Sequence, residues 1–157
     1  MIQTFFNGII TLMMTKFMLN DVPHAAGLMN SKRVFTEAAR SARIKTTVTT
    51  FGGSKYFTTI AVSKHEVVFS MAEYEETVDK VLLRVLSTNP NYVMMGYATR
   101  VFVSGPLALS IQTHKSIMTV GLTDDGRAFY KALERKGMIT IDADPERSGV
   151  FTIRQVR

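Results

Sequence analysis

The chain reads as an α+β domain with a mostly antiparallel sheet: N-terminal helices, then two β-hairpin–helix units, then a C-terminal β-hairpin. Three observations lead there. A helical stripe of Ile, Phe and Met runs through residues 1–19, and β-branched runs flank Gly52-Gly53. The cap-like Thr123 also follows Gly105 at the same spacing as Ser70 follows Gly52, which suggests a repeated unit. A length of 157 residues fits one domain, 1–157, divided into a helical part (1–42) and an α+β core (43–157). With 46% hydrophobic and 20% charged residues the chain is globular rather than disordered or collagen-like. The absence of cysteine excludes disulfides, thiolate metal sites and a cysteine nucleophile, and fits a cytoplasmic protein.

The elements follow in order. Ile2, Phe5, Phe6, Ile9, Met13 and Phe17 share one face of a first helix, with Thr4, Asn7, Thr11 and Thr15 opposite. The polar interruptions make it a poor membrane span, so the apolar face suits the core or self-association. Asp21 and Ser31 cap two shorter helices. Arg43–Phe51 and Lys55–Val62 form a hairpin about Gly52-Gly53. After a short strand at Glu66–Phe69, Ser70 and Glu73 form a capping box, and Tyr74, Val78, Val81, Leu82, Val85 and Leu86 recur at helical spacing up to Asn89-Pro90-Asn91. Tyr92–Val103 and Leu107–Val120 read as extended segments about Ser104-Gly105-Pro106. Thr123 then caps a helix that stops at Gly137.

Charge supplies the functional expectation. The net charge is +6, and the stretch from Asn30 to Lys64 carries Lys32, Arg33, Arg40, Arg43, Lys45, Lys55 and Lys64 against the single acid Glu37. The next stretch reverses sign, with Glu66, Glu73, Glu75, Glu76 and Asp79 against Lys80 and Arg84. Glu73, Glu75 and Glu76 fit the first turn of the expected helix, where its dipole favours acids. A basic surface attracts polyanions by releasing condensed counterions, and Tyr56 adds an aromatic face for stacking.

Leu133–Ile139, the turn Asp144–Gly149 and the strand Val150–Ile153 together resemble the recognition helix and wing of winged-helix DNA-binding domains. The resemblance covers only this C-terminal segment. It implies that Arg127, Lys131, Arg135 and Lys136 lie on or near the reading helix and Arg147 at the wing tip. A hairpin closing the sheet is the simpler reading of the same residues.

No catalytic motif stands out. His24, His65 and His114 are far apart, and there is no glycine-rich phosphate loop or nucleophile elbow, although a site assembled from distant loops would escape such a search. The sequence therefore predicts a non-enzymatic nucleic-acid-binding protein with no cofactor and no metal. It would bind DNA or RNA through Lys32, Arg33, Arg40, Arg43, Lys45, Lys55, Tyr56 and Lys64, aided by Arg127, Lys131, Arg135 and Arg147, as a homo-oligomer joined through residues 1–19. The alternative is a self-assembling structural or inhibitory module that meets a protein partner through the apolar first helix.

Overall fold

The computed structural model describes residues 42–92 and 96–157. The first helix, the two shorter helices after it, and Lys32, Arg33 and Arg40 lie outside the described residues. Those residues begin with two successive hairpins: β1 (Arg43–Phe51) with β2 (Ser54–Val62), then β3 (Val68–Glu76) with β4 (Lys80–Thr88). A 3₁₀ turn at Pro90–Tyr92 follows. A helical segment then runs through α1 (Tyr97–Phe102), a π-helical turn (Val103–Leu107) and α2 (Ala108–Thr113). β5 (Ser116–Val120), α3 (Asp124–Arg135), β6 (Ile139–Ala143) and β7 (Val150–Gln155) complete the described chain. Its sheet is seven-stranded, in the order β1-β2-β3-β4-β5-β7-β6.

Every neighbouring pair in this sheet is antiparallel except β4 and β5. Parallel neighbours require a crossover, and the helical segment between them supplies it. It packs on one face of the sheet, where α3 joins it: Phe102 meets Tyr130 at 5.6 Å and Phe129 at 6.1 Å between ring centroids. Beneath lie Ala61, Ala72, Tyr74, Val81, Leu83, Ile117, Ile139 and Ile153, all buried. Gly105 brings the crossover against the sheet. A Cβ there would stand 2.7 Å from Thr59 Oγ1 and 3.1 Å from Tyr74 Oη. Those hydroxyls form a chain, with Thr46 to Thr59 and Thr59 to Tyr74 each 2.9 Å, so neither is free to give way.

The first hairpin stands where the sequence places it, with Gly52 and Gly53 both at positive φ. Thr123 also caps its helix, its hydroxyl accepting from Gly126 N at 3.1 Å. The expected fold class nevertheless needs correction, because neither hairpin–helix unit exists. Residues 68–88 form a hairpin, not a strand and a helix. Val78, expected on the buried helical face, is 96% exposed in the turn between them. Val81 and Leu83 turn to the buried face of this strand, with Leu82 between them half-buried on the other. Ser70 spends its hydroxyl across the strands, donating to Ser87 O at 2.8 Å, and not on a cap.

The second correction runs the other way. Tyr97–Thr113 is helical where β-branched residues and Gly105-Pro106 suggested extended chain. Burial of Tyr97, Val101, Phe102 and Leu107 outweighs local propensity, and the π turn accommodates Pro106. The winged-helix expectation falls with these findings. Residues 110–120, where that motif needs a short helix, end α2 and build β5, and the supposed wing is the β6–β7 hairpin, joined to the large sheet through β5 and β7. No helix among the described residues is long and apolar enough to cross a membrane.

Gly105→Ala forces a methyl group into the Thr46–Thr59–Tyr74 chain. Overpacking of this kind costs about 1–3 kcal/mol, so thermal unfolding should move clearly to lower temperature. An unchanged melting temperature would mean that the crossover is not seated here.

Candidate functional site

The parallel pair is short. Lys80–Leu83 of β4 register with Ser116–Thr119 of β5, and there the pairing stops. β4 continues to Thr88, while β5 ends at Val120 and turns away at Gly121. From Arg84 onward, the β5 side of β4 has no strand partner among the described residues. A wedge therefore opens at the carboxyl ends of the two parallel strands, the place where open sheets with crossovers bind ligands. At the same position β4 is bulged: Glu73 pairs with Val85 and Tyr74 with Leu83, leaving Arg84 as the extra residue.

The crossover starts beside this opening. Asn89 follows β4 directly, and α1 begins at Tyr97 after Gly96, which takes φ 83°. The first turn of α1 carries no acidic residue, in contrast to α3, which opens on Asp124 and Asp125. Two buried polar atoms here have no hydrogen-bond partner among the described residues: Asn89 Nδ2 and Tyr97 Oη. Asn89 is otherwise engaged. Its Oδ1 accepts from Asn91 N at 3.0 Å and its N–H donates to Phe69 O at 2.9 Å. Buried polar groups normally find partners, so these two atoms, beside Phe69 of β3 at the end of β4, are polar groups that the described residues leave unsatisfied.

Strand alternation puts Glu73 and Glu75 on the face away from the helices, with Tyr56 and Thr58 opposite them on β2. Arg84 reaches the same face. Its Nε donates to Glu75 Oε2 at 3.2 Å and its Nη2 to the same oxygen. Glu73 is half-buried. Desolvation raises its pKa above the ordinary carboxylate value, and the charge of Arg84 opposes that rise. Beside the β4 bulge stands a carboxylate whose proton affinity burial has raised, a suitable base for a weakly acidic donor. Among the described residues no group of three or more acidic or histidine side chains could hold a metal ion.

Among the described residues, the basic residues singled out from the sequence do not gather on one surface. Arg43 and Lys45 lie on β1, at one edge of the sheet, and both bind Glu66, at 2.9 and 2.8 Å. These cations hold the exposed Glu66 carboxyl below its ordinary value. Lys55 and Tyr56 stand near the hairpin turn and Lys64 in the β2–β3 loop. Arg127, Lys131 and Arg135 lie on α3, which packs on β6 at the opposite edge. Arg127 sits 5.6 Å over the Phe151 ring, and Arg147 is held by Asp144 at 2.7 Å. Glu73, Glu75, Arg84, Asn89 and Tyr97 were missed as site residues. Reading 70–86 as a helix hid the signal, which is Glu73-x-Glu75 on one strand face with Arg84 beyond the turn.

No protein-family model matches the chain, and no curated protein matches it. Solved structures do. A protein of Klebsiella pneumoniae provisionally described as an acyl-CoA N-acyltransferase superimposes with a TM-score of 0.50 at 9% identity, covering 65% of this chain and 73% of its own. The paiA N-acetyltransferase of Thermoplasma acidophilum, solved with coenzyme A, gives 0.46 at 9% identity, covering 65% and 60%. The anti-CRISPR protein AcrVA5 gives 0.43 at 11%, covering 54% and 88%. At such identity the Klebsiella likeness speaks to the fold alone. The fold shared with the Klebsiella protein replaces the expected architecture, and three of the cations expected to grip DNA or RNA are tied to carboxylates, Arg43 and Lys45 to Glu66 and Arg147 to Asp144, so the expectation of a non-enzymatic nucleic-acid-binding protein is corrected; the self-assembling alternative rests on residues 1–19, outside the described residues.

Because the folded state disfavours ionised Glu73, the protein loses stability as pH rises through the titration of that group, and below the ordinary carboxylate range the penalty vanishes. The variant Glu73→Gln carries no such charge. Its melting temperature should match wild type near pH 3–4 and exceed it increasingly towards pH 7. A difference that does not vary with pH would show that Glu73 is not desolvated.

Proposed function

We propose that the chain is an N-acyltransferase that moves an acyl group from an acyl-CoA thioester to an amine. The observation that carries this reading is the edge of β4 beyond Leu83, which has no strand partner among the described residues, bulged at Arg84 and bordered by the start of the crossover. An extended ligand bearing amides adds to such an edge as a further strand would. The orphan atoms Asn89 Nδ2 and Tyr97 Oη provide polar partners, and the acid-free first turn of α1 tolerates a negatively charged end. A pantetheine arm with its pyrophosphate has this chemistry. The fold likeness to the Klebsiella protein supports the same assignment.

The thioester supplies an acyl carbon with a good leaving group, and the chain's own residues handle the amine. An amine arrives at neutral pH largely as an ammonium ion, which cannot attack. Glu73, beside the β4 bulge and on the face away from the helices, takes its proton directly or through a water. The free amine then bonds to the acyl carbon, the carbon–sulfur bond breaks, and the thiolate departs with that electron pair and takes up the proton that the nitrogen sheds as it becomes an amide. β4 and the crossover hold the donor and fix its orientation, converting an encounter between two molecules into a reaction within one complex.

Purified full-length protein incubated with acetyl-CoA and a panel of primary amines should release free thiol in amounts that match amide formed. The rate should rise with pH as Glu73 ionises, with the rising limb above the ordinary carboxylate range, and Glu73→Gln should lower kcat by roughly 10²-fold or more. Failure to bind acetyl-CoA or desulfo-CoA in calorimetry would end the assignment.

A further inference from the structure

Three features meet at Arg84. It is the residue that the β3–β4 ladder skips, and it is the first residue of β4 beyond the last pair with β5. It is also the arginine that Glu75 holds by two N–H groups on one carboxylate oxygen. The Glu75 side chain is only 9% exposed. A carboxylate that deep needs a partner, so the contact restrains the arginine as firmly as it satisfies the acid. An extra residue in a strand places two successive side chains toward one side, here Arg84 and Val85 beside Glu73. The groups that face Glu73 are Tyr56 and Thr58 from β2, Arg84 and Val85 from β4, and Met71 and Glu75 on its own strand. Arg84 is the cation among them.

We propose that Arg84 is a positioning residue for acyl transfer: anchored by Glu75, it holds the β4 bulge that opens the wedge and keeps a positive charge beside the accepting carboxylate of Glu73. The proposal rests on the acyltransferase reading and adds to it a residue that acts through Glu73 and the strand, not on the reacting atoms. The contact divides the two carboxylates by role. Glu75 is committed to the guanidinium, and Glu73 is left to exchange protons.

The test uses the full chain as wild type, Arg84→Lys, Arg84→Gln and the double variant E75Q/R84Q, which loses the buried acid with its partner and so avoids an unpaired charge. Each is melted by circular dichroism, titrated by carbon NMR at the Glu73 carboxyl, and assayed for kcat and KM across pH with acetyl-CoA and a primary amine. In Arg84→Gln the Glu73 titration and the rising limb of kcat should move upward together by roughly half a unit to one unit, and in the double variant, which also removes the like charge of Glu75, they should move together by less. Arg84→Lys, which keeps the charge, should leave both near their wild-type positions. Folded variants in which neither moves, with the wild type active, overturn the proposal alone. A Glu73 titration that moves in a chain that transfers no acyl group from any acyl-CoA overturns the acyltransferase reading, and the positioning role with it.

Discussion

The arrangement depends on one constraint: β4 and β5 run parallel within a sheet that is otherwise antiparallel. Parallel neighbours cannot be joined by a turn, so the chain between them must leave the sheet, travel its length and return. That excursion is the helical segment from Tyr97 to Thr113, and its placement decides which face is core. It also explains Gly105, where helix backbone and the Thr59 side chain approach too closely for any Cβ. The two strands stay together for only four paired positions before β5 turns off. The cleft follows from that early parting, because a strand that outlasts its neighbour leaves backbone amides and carbonyls without a partner.

Much of the sheet was legible in the sequence, for local reasons. Gly52-Gly53 between β-branched runs specifies its own hairpin, and Thr123, Gly137 and the turn at Asp144–Gly149 mark boundaries through side-chain and backbone chemistry that needs no distant partner. The middle of the chain was not legible, because its structure is settled by what covers it. Val81, Leu82, Leu83, Val85 and Leu86 put apolar residues on both sides of a strand, a pattern that matches a helix equally well until the strand's neighbours and its bulge at Arg84 are known. Tyr97–Val103 is poor in strong helix formers, and becomes helical because Tyr97, Val101 and Phe102 find the sheet beneath them.

The site was hidden for a related reason. Counting charges along the chain locates Arg43, Lys45, Arg127 and Arg147, yet each meets a group that a count cannot pair with it: Glu66, Glu66 again, the Phe151 ring and Asp144. The acids of the same count divide just as unevenly. Glu75 is neutralised by Arg84 and Glu76 by Lys115, while Glu73 has only the more distant pull of Arg84. Partnership across strands, set by register and by one bulge, separates structural charges from chemically available ones.

The Glu66 contact has a consequence at the far side of the molecule. β1 spans nine residues and, among the described residues, has no strand on its outer side. A long open edge with exposed Val48 and Phe51 is a template on which other chains can stack. Glu66 adopts φ 63°, unusual for a residue with a side chain, and there it fastens Arg43 and Lys45. An incoming strand would have to lie beside two cations tethered in place rather than waving in solvent. Among the described residues the loop thus sets tethered charge along the outer strand, the kind of edge feature that disfavours edge-to-edge pairing.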